Sequence, residues 1–197
     1  MLASIHPLGE RARDRRWGVT VTAYLAASIT GGAAAGVLLG LAGRGVGLAD
    51  LDSAWRAALV AGACALGLLV DVAAPAALPT VRRQVDEDWL HRYRGWVYGA
   101  GFGFQLGLGV VTIVTTAAVY VAFGLAFLTG SASAGLAIGA AFGLVRALPV
   151  LSVARVRRPD ELRRAHARMQ GWAGPARTFG LAAQAAVVAA AVAVALG

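Results

Sequence analysis

The chain has 197 residues, of which 58% are hydrophobic and 14% are charged, and its mean hydropathy is +0.68. These values exclude an ordinary soluble domain and indicate one compact bundle of membrane helices. The basic residues behind the formal net charge of +8 are all arginine. They flank apolar segments, as in membrane loops, so we expect no nucleic-acid partner.

The apolar segments predict membrane helices in chain order. An uncharged run over residues 17–43 continues past residues 33–35, the alanines that resemble a signal-peptide cleavage site, which favours a retained first helix over a cleaved signal peptide. A second segment, 57–77, contains Asp71. The central run, 95–145, has no charged residue or histidine and exceeds the ~20 residues of one straight crossing. It must form one long broken helix or two helices with a tight turn, and its most turn-like point is 129–133.

Two more helices are predicted after the central region, which ends near residue 154. Residues 159–170 form a short amphipathic cytoplasmic helix, because Pro159 stands at its first position and acidic residues follow in its first turn. The last segment, 178–197, is rich in alanine and valine and predicts a final membrane helix.

The distribution of arginine predicts the orientation. If the central region crosses an even number of times, the N-terminus and both charged connections share one side, and only Arg44 and Arg56 lie opposite. The positive-inside rule favours this arrangement, with a cytoplasmic N-terminus in the inner (plasma) membrane. The predicted fold class is an all-α integral membrane protein, a compact bundle of five transmembrane helices. Six crossings stay open as the alternative.

Two matches within the sequence predict an internal duplication. Residues 29–40 resemble residues 128–139, and the charges, histidine and tryptophan of residues 82–96 recur in the same order in residues 157–172. Many transporter folds are built from such repeats, with the working site at their interface. Within one transmembrane domain, 1–197, the repeats would cover residues 17–96 and residues 115–197.

The two copies differ at one buried position. Asp71 lies before the arginine pair at residues 82–83, and Arg146 lies at the same spacing before the arginine pair at residues 157–158. Both residues lie in apolar segments. An unpaired charge inside a bilayer costs at least ~2.5–3.5 kcal/mol, so we expect the two side chains to pair across the repeat interface. The pair would be a gate or a coupling site for protons or anions. Alternatively, it is a structural pin, or Arg146 extends towards the loop while a nearby proline ends the helix early.

Small and polar residues interrupt the apolar segments in two patterns. Glycine recurs at every fourth position in three segments, a glycine-zipper pattern that allows close helix packing and is compatible with a homodimer or a membrane-protein partner. These helix-packing candidates are Gly32, Gly36, Gly40, Gly99, Gly103, Gly107, Gly135, Gly139 and Gly143. The candidates for a polar path through the bundle are Gln105, Thr112, Thr115, Thr116, Tyr120 and Gln184.

Catalytic chemistry is not expected from this sequence. It shows no nucleophile–base constellation, phosphate-binding loop or metal-ligand cluster, so it predicts no enzyme activity, no catalytic residue, no metal and no cofactor. The single cysteine, Cys64, excludes an internal disulfide and a CxxC redox pair. A lone cysteine in an apolar run is typical of a small core residue.

A family resemblance rests on two segments rich in glycine and threonine or serine, TGGA at residues 30–33 and TGSA at residues 129–132. With the duplicated bundle around them, they resemble the transmembrane domain of the CcdA/DsbD thiol-electron carriers and the small exporters of the LysE and TauE kind. The resemblance covers most of the chain and rests on architecture. Both segments lack the cysteine of the Pro-Cys break of CcdA-like proteins. The resemblance therefore implies the fold without the thiol–disulfide relay.

Two functions follow from these observations. The first is a small secondary transporter or exporter in which Asp71 and Arg146 form the coupling site. The alternative is a non-catalytic membrane subunit or scaffold, which packs through its glycine faces and binds a partner protein or anionic lipid headgroups at its arginine-rich loops. In either case the lipid bilayer is the main partner of the chain, and the sequence does not identify a substrate.

Overall fold

The computed structural model describes residues 5–74, 78, 92–109 and 114–196, and every regular element in this part of the chain is helical. The predicted all-α membrane bundle is thereby confirmed. The 3-10 segments Leu48–Asp50 and Leu148–Val153 follow the second and sixth helices. The α-helices are, in chain order, α1 (Pro7–Ala12), α2 (Trp17–Gly45), α3 (Ser53–Ala73), α4 (Gly95–Leu108), α5 (Ala118–Leu128), α6 (Ala132–Ala147), α7 (Pro159–Gly171) and α8 (Ala173–Leu196).

Several helices have the length and apolar composition of membrane spans. Among the described residues these stretches are Trp17–Gly45, Ser53–Ala73, Ala132–Val153 and Pro159–Leu196. The helix α3 begins earlier than residue 57 because the carboxylate of Asp52 accepts a hydrogen bond from the amide of Trp55 at 2.8 Å and caps the helix. The helix α8 begins earlier than residue 178 because Pro175 lies in its first turn, where no backbone N–H is needed.

The helix α2 is the centre of the bundle and packs against both α4 and α6. A methyl group on Gly103 would overlap the carbonyl oxygen of Tyr24, and one on Gly107 would overlap that of Ser28, so α4 runs parallel to α2. The helix α6 runs antiparallel to α2, since Gly139 meets Gly32 and Gly135 meets Gly36 in the same way. The bundle therefore has a proximal end, where α2 begins, and a distal end, where residues 46–52 join α2 to α3.

The uncharged central run forms a broken helix followed by a tight turn. The helix α4 ends at Gly109 with a left-handed φ of 72°, beside the middle of α2. The helix α5 continues towards the distal end, where Phe127 meets Gly43. A turn at Gly130, with φ 56°, then leads into α6. Because α4 and α5 together make one pass along α2, the described helices pass five times along the bundle.

The N-terminal stretch is more structured than its basic composition predicts. The side chain of His6 accepts a hydrogen bond from the amide of Gly9 at 3.1 Å and caps α1. Ile5, with 1% of its surface exposed, packs into a core cluster with Val21 and Tyr98. The helix α1 therefore covers the proximal end of the bundle.

The structure provides no helix-for-helix equivalence for the predicted duplication. The first sequence match relates α2 to α6, which run antiparallel. The second match lies after α3 and α6, and its spacing from Asp71 and Arg146 relates the end of α3 to the end of α6, which run parallel. One helix cannot be the counterpart of both, and the arginine pair at residues 82–83 and His91 lie outside the described residues. The duplication stays a prediction.

Candidate functional site

The carboxylate of Asp71 is the centre of a buried polar cluster between α3, α5 and α8. Only 5% of the Asp71 surface is exposed. One carboxylate oxygen accepts hydrogen bonds from the Thr116 hydroxyl at 2.7 Å and from the Gln184 amide nitrogen at 3.0 Å. The other accepts a hydrogen bond from the backbone amide of Ala117 at 2.6 Å. Three helices thus converge on one acid.

The break in the central run explains why an acid is buried here. The helix α5 begins inside the bundle, so its first backbone N–H groups lack partners within the helix and carry a partial positive charge. Asp71, in the last turn of α3, supplies the missing acceptor from a different helix. Phe127 follows Ala118 by nine positions in α5, which is about 14 Å of rise. The cluster therefore lies in the central part of α2's length and not at a bundle end.

Two further groups complete the Asp71 cluster. The guanidinium of Arg177 donates a hydrogen bond to the backbone oxygen of Asp71 at 3.0 Å. The side-chain oxygen of Gln184 is buried and has no hydrogen-bond partner among the described residues. Gly67 makes space for this amide, because a Cβ there would lie 3.0 Å from the Gln184 oxygen and would overlap Val121. The cluster thus holds one acidic group and one unused acceptor at the same depth.

The structure does not bring Asp71 and Arg146 together, and the expected ion pair is wrong. The guanidinium of Arg146 lies over the ring of Phe142, 5.3 Å from its centroid, and interacts electrostatically with Tyr24. The reason is the packing of the helices: α6 lies on α2, whereas the end of α3 lies against α5 and α8. Each charge is accommodated by its own neighbours. Asp71 is surrounded by hydrogen-bond donors, and Arg146 lies beside aromatic rings.

The polar-path candidates separate into three groups. Thr116 and Gln184 reach Asp71. Gln105 is half-buried in α4, whereas Thr115 and Tyr120 are exposed at the start of α5. Thr112 lies outside the described residues. The structure thus brings two of these six residues together at Asp71. Gln105, Thr115 and Tyr120 lie outside this cluster.

The nine glycines of the zipper pattern all lie on buried faces of α2, α4 and α6. A methyl group on any of them would overlap or press against backbone of a neighbouring helix. Ser28 of α2 adds a hydrogen bond at the same seam, from its hydroxyl to the carbonyl oxygen of Gly143 at 2.8 Å. Cys64 is 1% exposed in α3, as a small core residue is.

A second buried acid, Glu10, was not found by sequence reasoning. Its surface is 0% exposed, and its carboxylate accepts hydrogen bonds from the hydroxyls of Tyr98 and Thr20 and from Arg13. Burial raises the pKa of Glu10, but the hydrogen bonds from Tyr98, Thr20 and Arg13 lower it more, and the net pKa is below the usual value. No apolar periodicity marks α1, so the sequence carries no signal that distinguishes Glu10 from a solvated loop acid.

Comparison with known proteins gives the family context of this bundle. A family profile described as "Cytochrome C biogenesis protein transmembrane region" matches residues 2–175. The methylamine utilization protein MauF of Methylophilus methylotrophus is 42% identical over 72 residues, which are 36% of this chain and 25% of that protein. MauF of Paracoccus versutus is 31% identical over 156 residues, 76% of this chain and 55% of that protein. The chain thus spans about half or less of these relatives' length. No solved structure matches it significantly.

Proposed function

Because the chain belongs to the family of cytochrome c biogenesis transmembrane regions, we propose that it is a small membrane transporter that serves the biogenesis of another protein. The chain holds one cysteine, Cys64, and it is buried, so thiol exchange between two cysteines of this chain is not its mechanism. The proposed working centre is instead the cluster of Asp71, Thr116 and Gln184. This revises the expected Asp71–Arg146 coupling pair.

The single observation that carries the proposal is a buried carboxylate at a break in a membrane helix. Transporters place substrate and coupling-ion sites near the middle of the bilayer, where discontinuous helices leave helix ends and backbone groups free to bind. An ionisable residue at such depth is a strong indication of function, because it is costly to keep there. Asp71 meets both conditions, since it faces the first amides of α5 inside the bundle.

The chemistry of the cluster favours a proton or a small cation as the coupling species. A carboxylate exchanges a proton directly. The unused side-chain oxygen of Gln184 offers a neutral acceptor beside it. Protonation of Asp71 would weaken the hydrogen bonds that its carboxylate accepts from Thr116 and from the backbone at the start of α5. Proton binding would therefore change the packing of α5 against α3, which is the kind of helix movement that alternating access requires.

Solid-supported membrane electrophysiology on the full chain in liposomes tests the proposal. Concentration jumps of protons, sodium and methylammonium are applied in turn; methylammonium is included because the relatives are methylamine utilization proteins. We expect transient currents for the wild type with at least one cation and their loss in Asp71→Asn. Asp52→Asn is the matched control, because Asp52 also caps a helix but is exposed. Equal currents in all three proteins contradict the proposal.

A non-transporting membrane subunit is the second candidate. The observation that favours it is the close backbone packing of α2 with α4 and α6, which makes a tight bundle rather than a wide pore. In this function Asp71 is only a helix cap, and the nine glycines serve helix packing. Asparagine at position 71 keeps the acceptor oxygen, so this candidate expects Asp71→Asn to fold and to assemble normally.

We further propose an inner-membrane orientation with a cytoplasmic N-terminus. The arginine-rich helix α7, with Arg163, Arg164 and Arg168 exposed, then lies on the cytoplasmic side. It is suited to anionic lipid headgroups, because each arginine near a membrane surface contributes about 1 kcal/mol of attraction. The support for this orientation is the distribution of arginine in the sequence.

A further inference from the structure

An apolar groove opens on the distal half of the bundle, on the side where α3, α5 and α8 meet. Its volume is about 580 Å³. It extends from the start of α3 over about two helical turns towards the Asp71 cluster. The surface is almost entirely aliphatic, and six of the lining residues are Ala57, Val60, Leu125, Val187, Ala190 and Val194.

The mouth of the groove differs in chemistry from its interior. Ser53 and Arg56 stand there, in the first turn of α3. Arg56 is exposed, and its guanidinium forms no ion pair or hydrogen bond among the residues that the structure describes. Its neighbour Trp55 has 65% of its surface exposed. Tryptophan beside arginine at a helix end is typical of the headgroup level of a bilayer, so the groove begins at the headgroups and descends into the hydrocarbon.

From this arrangement we infer that the groove binds one acyl chain of an anionic phospholipid, whose phosphate is held by Arg56. A long recess in contact with a bilayer is not filled by water when its walls are almost entirely aliphatic, because such walls offer water few hydrogen bonds. The guanidinium at its mouth matches a phosphate in charge and in geometry. This ligand is independent of the proposed transport function and lies at the opposite end of the bundle from the arginine-rich helix α7.

The charge at the mouth of the groove favours a lipid over a helix from a second copy, because an apolar membrane helix offers no anion to Arg56. An acyl chain is narrower and adapts its shape to the irregular wall. The small residues Ala57 and Ala190 form part of that wall and keep the space open.

Photolabelling of the full chain tests this inference. The protein is placed in phosphatidylcholine nanodiscs that contain a phosphatidylglycerol with a diazirine at the end of one acyl chain. After irradiation, we expect labelled peptides from the deep part of the groove, around Val60 and Val187. Unlabelled phosphatidylglycerol is expected to compete, whereas inorganic phosphate is not, which distinguishes a lipid from a free anion.

Four variants make the result specific. Arg56→Gln is expected to lower the labelling by about fivefold, the effect of one arginine at a membrane surface, and Ala190→Phe is expected to abolish it by filling the groove. Arg44→Gln and Ala189→Phe are the matched controls, because Arg44 is exposed at the same end and Ala189 is exposed on α8 outside the lining. Equal labelling of all variants, labels spread over every lipid-facing helix, or cross-links between two copies would overturn the inference.

Discussion

The Gln184 amide donates a hydrogen bond to the Asp71 carboxylate at 3.0 Å, across 113 positions of the chain. This contact joins the last helix to the place where the broken helix resumes. The packing of α8 and the start of α5 are thereby linked through one acid. A change in the protonation of Asp71 acts on both helices at once, and this connection is the physical basis of the proposed coupling.

Substitution of Gln184 tests the strength of this link. We expect Gln184→Leu to destabilise the protein by about 1–3 kcal/mol, because the buried carboxylate loses one of its donors. Gln105→Leu is the control, since Gln105 is only half-buried in α4. Thermal unfolding in detergent measures both variants. A Gln184→Leu variant as stable as the control would show that the hydrogen bond contributes little.

The antiparallel contact of α2 and α6 depends on the absence of side chains. A methyl group on Gly36 would overlap the carbonyl oxygen of Gly135, so we expect Gly36→Ala to destabilise the protein by about 1–3 kcal/mol or more. Gly62→Ala in α3 is the control, because a Cβ there meets no atom within 4 Å. That variant is expected to gain ~0.5–1 kcal/mol from helix propensity. Chemical or thermal unfolding in detergent compares the two, and equal stability would contradict the observed packing.

The hydroxyl of Ser28 adds a polar contact to the same seam. Ser28→Ala removes its hydrogen bond to the carbonyl oxygen of Gly143 without adding volume. Because hydrogen bonds between membrane helices contribute ~0.6 kcal/mol on average, we expect a small loss of stability. Thr30→Ala is the control, since the Thr30 hydroxyl bonds to the backbone of its own helix. A loss of stability as large as that of Gly36→Ala would mean that Ser28 has a further role.

The buried Glu10 predicts an acid-sensitive attachment of α1. Its pKa in the folded state is lower than its usual value, so folding favours the charged form. The stabilisation is fully present above the ordinary pKa of a glutamate, about 4.3, and is lost as the pH falls through the lower folded value. We expect the melting temperature of the wild type to fall in this range more steeply than that of Glu10→Gln. Parallel pH profiles of the two proteins would contradict this prediction.

The sequence singled out Asp71, Thr116 and Gln184 but did not predict that they lie together at one site. Asp71 and Gln184 were recognised because polar side chains in apolar segments are costly and therefore informative. The partner was wrong because the spacing of charges along the chain does not determine which helices pack together. The residues before α5 carried an unused signal: a threonine before an apolar run is a favoured helix cap. A broken helix in the central run was expected, but the start of α5 at Ala118, beside Asp71, was not predicted.

The five passes along the bundle agree with the number that the arginine distribution favours, and the sides of the membrane provide the last prediction. We expect a cysteine at His166 to react with a membrane-impermeant thiol reagent only after permeabilisation of cells, and a cysteine at Arg44 to react in intact cells. Both are introduced with Cys64→Ala, a change expected to be tolerated because Cys64 is a small buried residue. The same result with both cysteines would mean that the segments between them, α3 to α6, do not cross the membrane three times. A reversed result would keep the five passes and overturn the positive-inside assignment.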